Sequence, residues 1–191
     1  MTRPKDDTLK KQQAPSPQGD KKQKGTRSPV AGWCVGAAAA ANTACPGAQV
    51  RPAPAPEAEP CPAGAVETME TLDIGIGNTG LVSLTIEATQ FITVREGVTS
   101  ARLLYGGSPP SLPGPHWKLP ANTILSGRLH FGDGRAYLRY TEARTPTGDT
   151  FKVCLEAGAE GRSGVPAKPD GGPETAKVYS SIAVEAVRRF E

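Results

Sequence analysis

From about Ala65 onward, large apolar residues recur at every second position in short runs bounded by Gly, Ser or Pro, and that spacing restricts the chain to strands with one buried face. Leu84 and Ile86 alternate with Ser83, Thr85 and Glu87. Ile92 and Val94 alternate with Thr93 and Arg95, and Leu103 and Tyr105 alternate with Arg102. A hairpin is legible next: Thr123, Leu125, Gly127, Leu129 and Phe131 share a face, Gly132-Asp133-Gly134 supplies the turn, and Ala136, Leu138 and Tyr140 return. Phe151, Val153 and Leu155 form another strand, and Val178 to Phe190 a last one through Val178, Ile182 and Val184. Only Val66 to Leu72 has a helical pattern, for about two turns. Short strands joined by turns, with almost no helix, predict a mainly β fold: an antiparallel β-sandwich or jelly roll with a disordered N-terminal tail.

The 191 residues leave room for one such domain and appendages. Residues 1–29 carry eight Lys/Arg against three Asp, with Leu9 nearly alone as a large apolar side chain, so they are expected to be a disordered basic tail. The remaining chain carries fourteen Lys/Arg against sixteen acids, and nucleic-acid binding, which needs a basic folded face, is not expected.

Residues 30–45 run Val-Ala-Gly-Trp-Cys-Val-Gly, then five alanines, then Asn-Thr-Ala-Cys. The basic cluster Lys21, Lys22, Lys24 and Arg27 precedes them, and the order reads as a membrane-proximal boundary. A secretory signal core, a marginal membrane span and an alanine-rich helix all fit, because the run falls short of the roughly 20 residues that cross a bilayer. Cys45 follows small residues and is a candidate for lipidation. Residues 46–63 are a Pro-rich spacer that favours polyproline II, and residues 64–191 are the β domain. The expected location is the cell envelope, membrane-associated through residues 30–45, with the β domain outside the cytoplasm.

Gly75-Ile76-Gly77-Asn78-Thr79-Gly80-Leu81-Val82 matches the glycine-rich loop that covers nucleotide phosphates in protein kinases. The strand lysine, the catalytic-loop Asp and Asn and the magnesium-binding Asp that such a loop requires do not follow it, so the glycines read as a tight loop. Cys61 and Cys154 bracket the β domain; in an oxidising compartment they would pair, and otherwise Cys154 is a buried thiol and Cys61 an exposed one. The cysteine and histidine spacings suggest no metal, and no cofactor is expected. His116 and Trp117, in the Pro-rich loop Gly106 to Pro120, are the candidate ligand contacts. Capping an open end of the core is the structural alternative for Trp117.

The runs Ala44 to Pro52 (ACPGAQVRP), Cys61 to Ala65 (CPAGA), Gln90 to Val94, Leu125 to Leu129, Tyr140 to Ala143 and Phe151 to Cys154 resemble the C-terminal region of a group of myxobacterial serine/threonine protein kinases, over about residues 30 to 191. In that family a cytoplasmic kinase domain precedes a basic linker, an apolar segment and this β-rich tail, which the resemblance places outside the cytoplasm. It carries over no catalytic or ligand residue. The expected function is a non-catalytic, envelope-associated sensory or interaction module contacting an unknown protein or small ligand. The alternatives are an enzyme, kinase-related through the Gly75–Gly80 loop or a hydrolase, and a structural lipoprotein anchored at Cys45.

Overall fold

A computed structural model describes residues 53–172 and 174–191, all within the compact unit Gly47–Glu191. The basic tail, residues 30–45 and Cys45 lie outside the described residues.

Thirteen strands and one helix follow in order. They are β1 (Glu59–Pro60), α1 (Ala65–Thr71), β2 (Thr79–Ser83), β3 (Phe91–Arg95), β4 (Gly97–Gly106), β5 (Ile124–Gly132), β6 (Arg135–Arg144) and β7 (Thr150–Ala159). After these come β8 (Arg162–Ser163), β9 (Val165–Pro166), β10 (Lys168–Pro169), β11 (Thr175–Tyr179), β12 (Ser181–Ala186) and β13 (Arg189–Phe190). The mainly β, antiparallel class read from the alternation holds. The sheet goes further than two facing layers: β2, β4, β5, β6, β7 and β12 pair in that order, and β12 pairs back onto β2, so six strands close into a barrel. Closure removes the two open edges that a flat sheet would present. Register shifts at Leu81/Val82, Ser126/Gly127 and Tyr140/Glu142 supply local bends of the kind that let a sheet curl.

Alternation decides what fills the barrel. Val82, Leu103, Leu125, Leu129, Leu138, Tyr140, Val153, Leu155 and Val184 are all fully buried in one continuous core. Each such side chain stabilises by roughly 1.5–3 kcal/mol relative to exposure. The β5–β6 hairpin turns at Asp133 and Gly134, both with positive φ (48° and 71°), the primed geometry whose twist matches antiparallel strands.

The barrel has two distinguishable ends. At the turn end lie the β5–β6 turn and the connections that carry β3, β10 and β11. These three strands form a small separate sheet. Its inner face, Ile92, Val94, Ala176 and Val178, closes that end against the core. At the loop end lie residues 107–123 and α1, whose Ala65 and Met69 are buried and which packs on β7. The Cys61–Cys154 disulfide ties the spacer to β7 beside that helix, with a Cα separation of 5.5 Å.

Two sequence expectations are corrected. Leu84 and Ile86 lie beyond β2, because Leu84 N–H donates to Ser180 O and Ser83 Oγ donates to Thr85 O, bending the chain out of the barrel wall. Val178 to Phe190 is three strands, not one. Ser180 N–H donates to Gln90 O, so the chain passes there from the small sheet into the barrel, and Ala186 is followed by a turn into β13.

Candidate binding groove

Arg139 on β6 and Glu156 on β7 point away from the barrel interior, between inward neighbours Leu138 and Tyr140 and Leu155 and Ala157. They nevertheless have almost no exposure, 4% and 3%. The covering is β1 and β13, which pair with each other, and Glu59, Phe190 and Glu191 from them meet Arg139. Arg139 Nε donates to Glu156 Oε1 at 3.4 Å and Nη2 to Glu191 O at 2.7 Å, while Nη1 lies 3.6 Å from Glu59 Oε2. Its guanidinium stands 5.6 Å from the Phe190 ring centroid, within cation–π range. Glu156 Oε2 accepts from Ser163 Oγ and from Glu191 N–H. Burial pushes the Glu156 carboxyl above its ordinary value; the hydrogen bonds from Glu191 N–H and Ser163 and the nearby Arg139 charge offset part of that rise. This cluster latches the C-terminal strand to the barrel wall.

The latch residues Glu156, Ser163 and Glu191 also line one side of a groove of about 1220 Å³. It runs along β7 and β12 and is bounded by Ala55 of the spacer, the Asp133–Gly134 turn and the Gly161–Ser163 turn. Arg135 braces one side, with Nε donating to Ser163 O and Nη2 to Ala159 O and Gly164 O. Arg162, Arg188 and Arg189 line the groove, are exposed and make no ion pair among the described residues. Glu185 is the register partner of Glu156 on β12 and is exposed. The surface is therefore of mixed charge. Tyr137 is also part of the wall, its hydroxyl held above the usual range by burial and by the nearby Asp133.

Arg139→Met is expected to leave Glu156 buried without its cation and to lower stability by about 3 kcal/mol, measured by chemical denaturation. Glu156→Gln has a pH signature. A folded-state carboxyl that binds its proton more tightly than the unfolded chain does makes stability fall as pH rises from the ordinary value of 4.5 upward. The amide variant should show a shallower fall over that window, and an unchanged slope would show that Glu156 is not the group responsible.

The sequence candidates are distributed differently. Cys61 and Cys154 are brought together, as the paired alternative required. Trp117 is not a rim contact: it is 6% exposed and belongs to the core, with its ring over Gly80 and Gly106. His116 precedes it in the strand-like bridge to Gly107, and alternation leaves it exposed on the other side, so the two do not form one site. In the Gly75–Gly80 loop, Gly77 N–H donates to Ala186 O and Asn78 N–H to Gly75 O, which engages two amides that a phosphate cradle would use. Sequence reading missed Arg139, Glu156 and Ser163. Their only signal was a charged residue of each sign inside two apolar strands, which gains meaning once register pairs Arg139 with Glu156. No protein-family model matches the chain, and no curated protein matches it.

Proposed function

We propose that this chain is a non-catalytic binding module held at the cell envelope, with the β7–β12 groove as the seat of a protein or small-ligand partner. The groove carries the reading: a recess of about 1220 Å³ beside a disulfide-tied barrel, lined by three exposed arginines and by Gly77, Gly158 and Gly161. Such a recess is the usual setting for recognition, with a few polar groups fixing orientation. The Cys61–Cys154 bond supports an oxidising compartment, since structural disulfides persist there. Among the described residues no helix is long and apolar enough to cross a membrane, so envelope attachment rests on residues 30–45. The likeness to the tails of myxobacterial kinases agrees with a sensory or docking role.

The groove is tested with a photo-crosslinking amino acid placed at Arg162 in the full chain, and separately at Thr141, which is exposed on β6 outside the groove. Adducts in irradiated cells are expected from position 162 and not from 141. Equal yields at both, or none at 162, would defeat the assignment. Acid-quenched thiol labelling of the same cells should find Cys61 and Cys154 protected until a reductant is added.

A further inference from the structure

The outer face of the small sheet over the turn end carries an aromatic pair that the fold does not use. Phe91 on β3 and Tyr179 on β11 are register partners, with ring centroids 4.7 Å apart and planes tilted by 33°. They are 41% and 48% exposed, although their strand neighbours Ile92 and Val178 turn inward onto the core. Ile86, in the segment joining β2 to β3, is 86% exposed. That segment is fastened to the same spot, because Ser180 Oγ donates to Thr89 O and Ser180 N–H to Gln90 O. On the same outer face Lys168 and Lys177 are register partners on β10 and β11; Lys177 pairs with Asp170 at 3.4 Å and Arg95 with Glu174 at 3.1 Å, whereas Lys168 makes no ion pair among the described residues.

The path of the chain says what this face meets. Ala53, the first described residue, accepts a hydrogen bond from Asp133 N–H at the β5–β6 turn, and Pro54 and Ala55 lie against Gly132. The chain therefore enters the domain at the turn end, the end that bears Ile86, Phe91 and Tyr179. Seven residues lie between Cys45 and Ala53, so the two are at most about 30 Å apart at full extension. We infer that the turn end lies on the lipid bilayer surface, with Ile86, Phe91 and Tyr179 in the interfacial layer and Lys168 at the headgroups. Aromatic rings with one polar edge, and lysines with long apolar stems, favour that depth. The groove reaches the turn end at the Asp133–Gly134 and Gly161–Ser163 turns, so its stretch toward Val187 and Arg188, and the 107–123 loops at the far end, would stay open to a partner.

This orientation rests on attachment through residues 30–45. Its test is hydrogen exchange on the full chain, reconstituted into vesicles of phosphatidylethanolamine and phosphatidylglycerol and compared with the chain in detergent. Amides of residues 84–91 and 175–180 should exchange roughly tenfold or more slowly in vesicles. In the Ile86→Ser, Phe91→Ser, Tyr179→Ser variant the slowing should vanish while the chain stays with the vesicles. Leu112→Ser, at an exposed apolar residue of the loop end, should keep it. Vesicle association without slowing at these segments overturns the orientation and leaves the attachment standing. Failure to associate at all overturns both. Slowing that appears without lipid and grows with protein concentration would assign the face to a second copy of the chain and also overturn the proposal.

Discussion

Breaking the Cys61–Cys154 bond lowers the stability of the domain by about 4 kcal/mol, because it frees a loop of 93 residues in the unfolded chain. For a domain of this size that corresponds to a fall in Tm of roughly 10–15 °C. The effect is concentrated at one place. Without the bond, the spacer keeps the two-residue β1–β13 pairing, the Asp133 N–H to Ala53 O and Lys152 to Ala63 O bonds, the Glu59–Arg139 contact and the burial of Ala65 and Met69, far less than the six-strand pairing of the barrel, so residues 53–72 should open before the barrel does. Cys61→Ser is the cleaner variant, since Cys61 is only partly buried. Cys154→Ser sets a hydroxyl in a fully buried position on β7, where it costs more than the bond alone. Melting curves of the wild type and of Cys61→Ser, each with and without reductant, check this. The wild type should fall to the variant's Tm on reduction, and the variant should not move; a shift below about 3 °C would mean that packing already holds the spacer. The consequence for function is direct, because Ala55 bounds the groove and Glu59 reaches Arg139 from this same spacer.

What was legible in the sequence followed from local periodicity. The alternation of Thr123 to Phe131 against Ala136 to Tyr140 names the β5–β6 hairpin and its turn, and Leu125, Leu129, Leu138 and Tyr140 are indeed fully buried. The two-turn helix is where Val66 to Leu72 suggested. Closure into a barrel was not legible, because it depends on β12 reaching β2 across about a hundred residues, and period-two patterning is the same for a sandwich wall and a barrel wall. The split at Ser180 was missed for a related reason: Val178 and Ile182 keep the even spacing although they belong to different sheets. The groove was legible only in fragments. Arg139 and Glu156 are polar interruptions in apolar strands until register sets them face to face beneath the C-terminal strand.

Trp117→Ala should cost about 3–5 kcal/mol, the second large effect expected, because the indole fills the loop end of the barrel. The glycines around it show that the fit is mutual. A Cβ at Gly80 would come within 2.8 Å of the ring and one at Gly106 would overlap it outright. Gly106→Ala is therefore expected to destabilise through overpacking by a smaller amount, about 1–3 kcal/mol. The two changes act on one volume, so they should not add. In the double variant the new methyl enters space that the indole has vacated, and the coupling should exceed about 1 kcal/mol in the favourable direction. Trp117→Phe separates shape from polarity: Nε1 is buried with no hydrogen-bond partner among the described residues, so losing it removes an unmet donor while the smaller ring leaves a gap. Its cost should be well below that of Ala. If Gly106→Ala and Trp117→Ala proved additive, the ring would not rest on Gly106, and the loop Gly106 to Pro120 would regain Trp117 as a residue free to meet a ligand. Additivity at this one pair would thus move the binding surface from the barrel's side wall to its end.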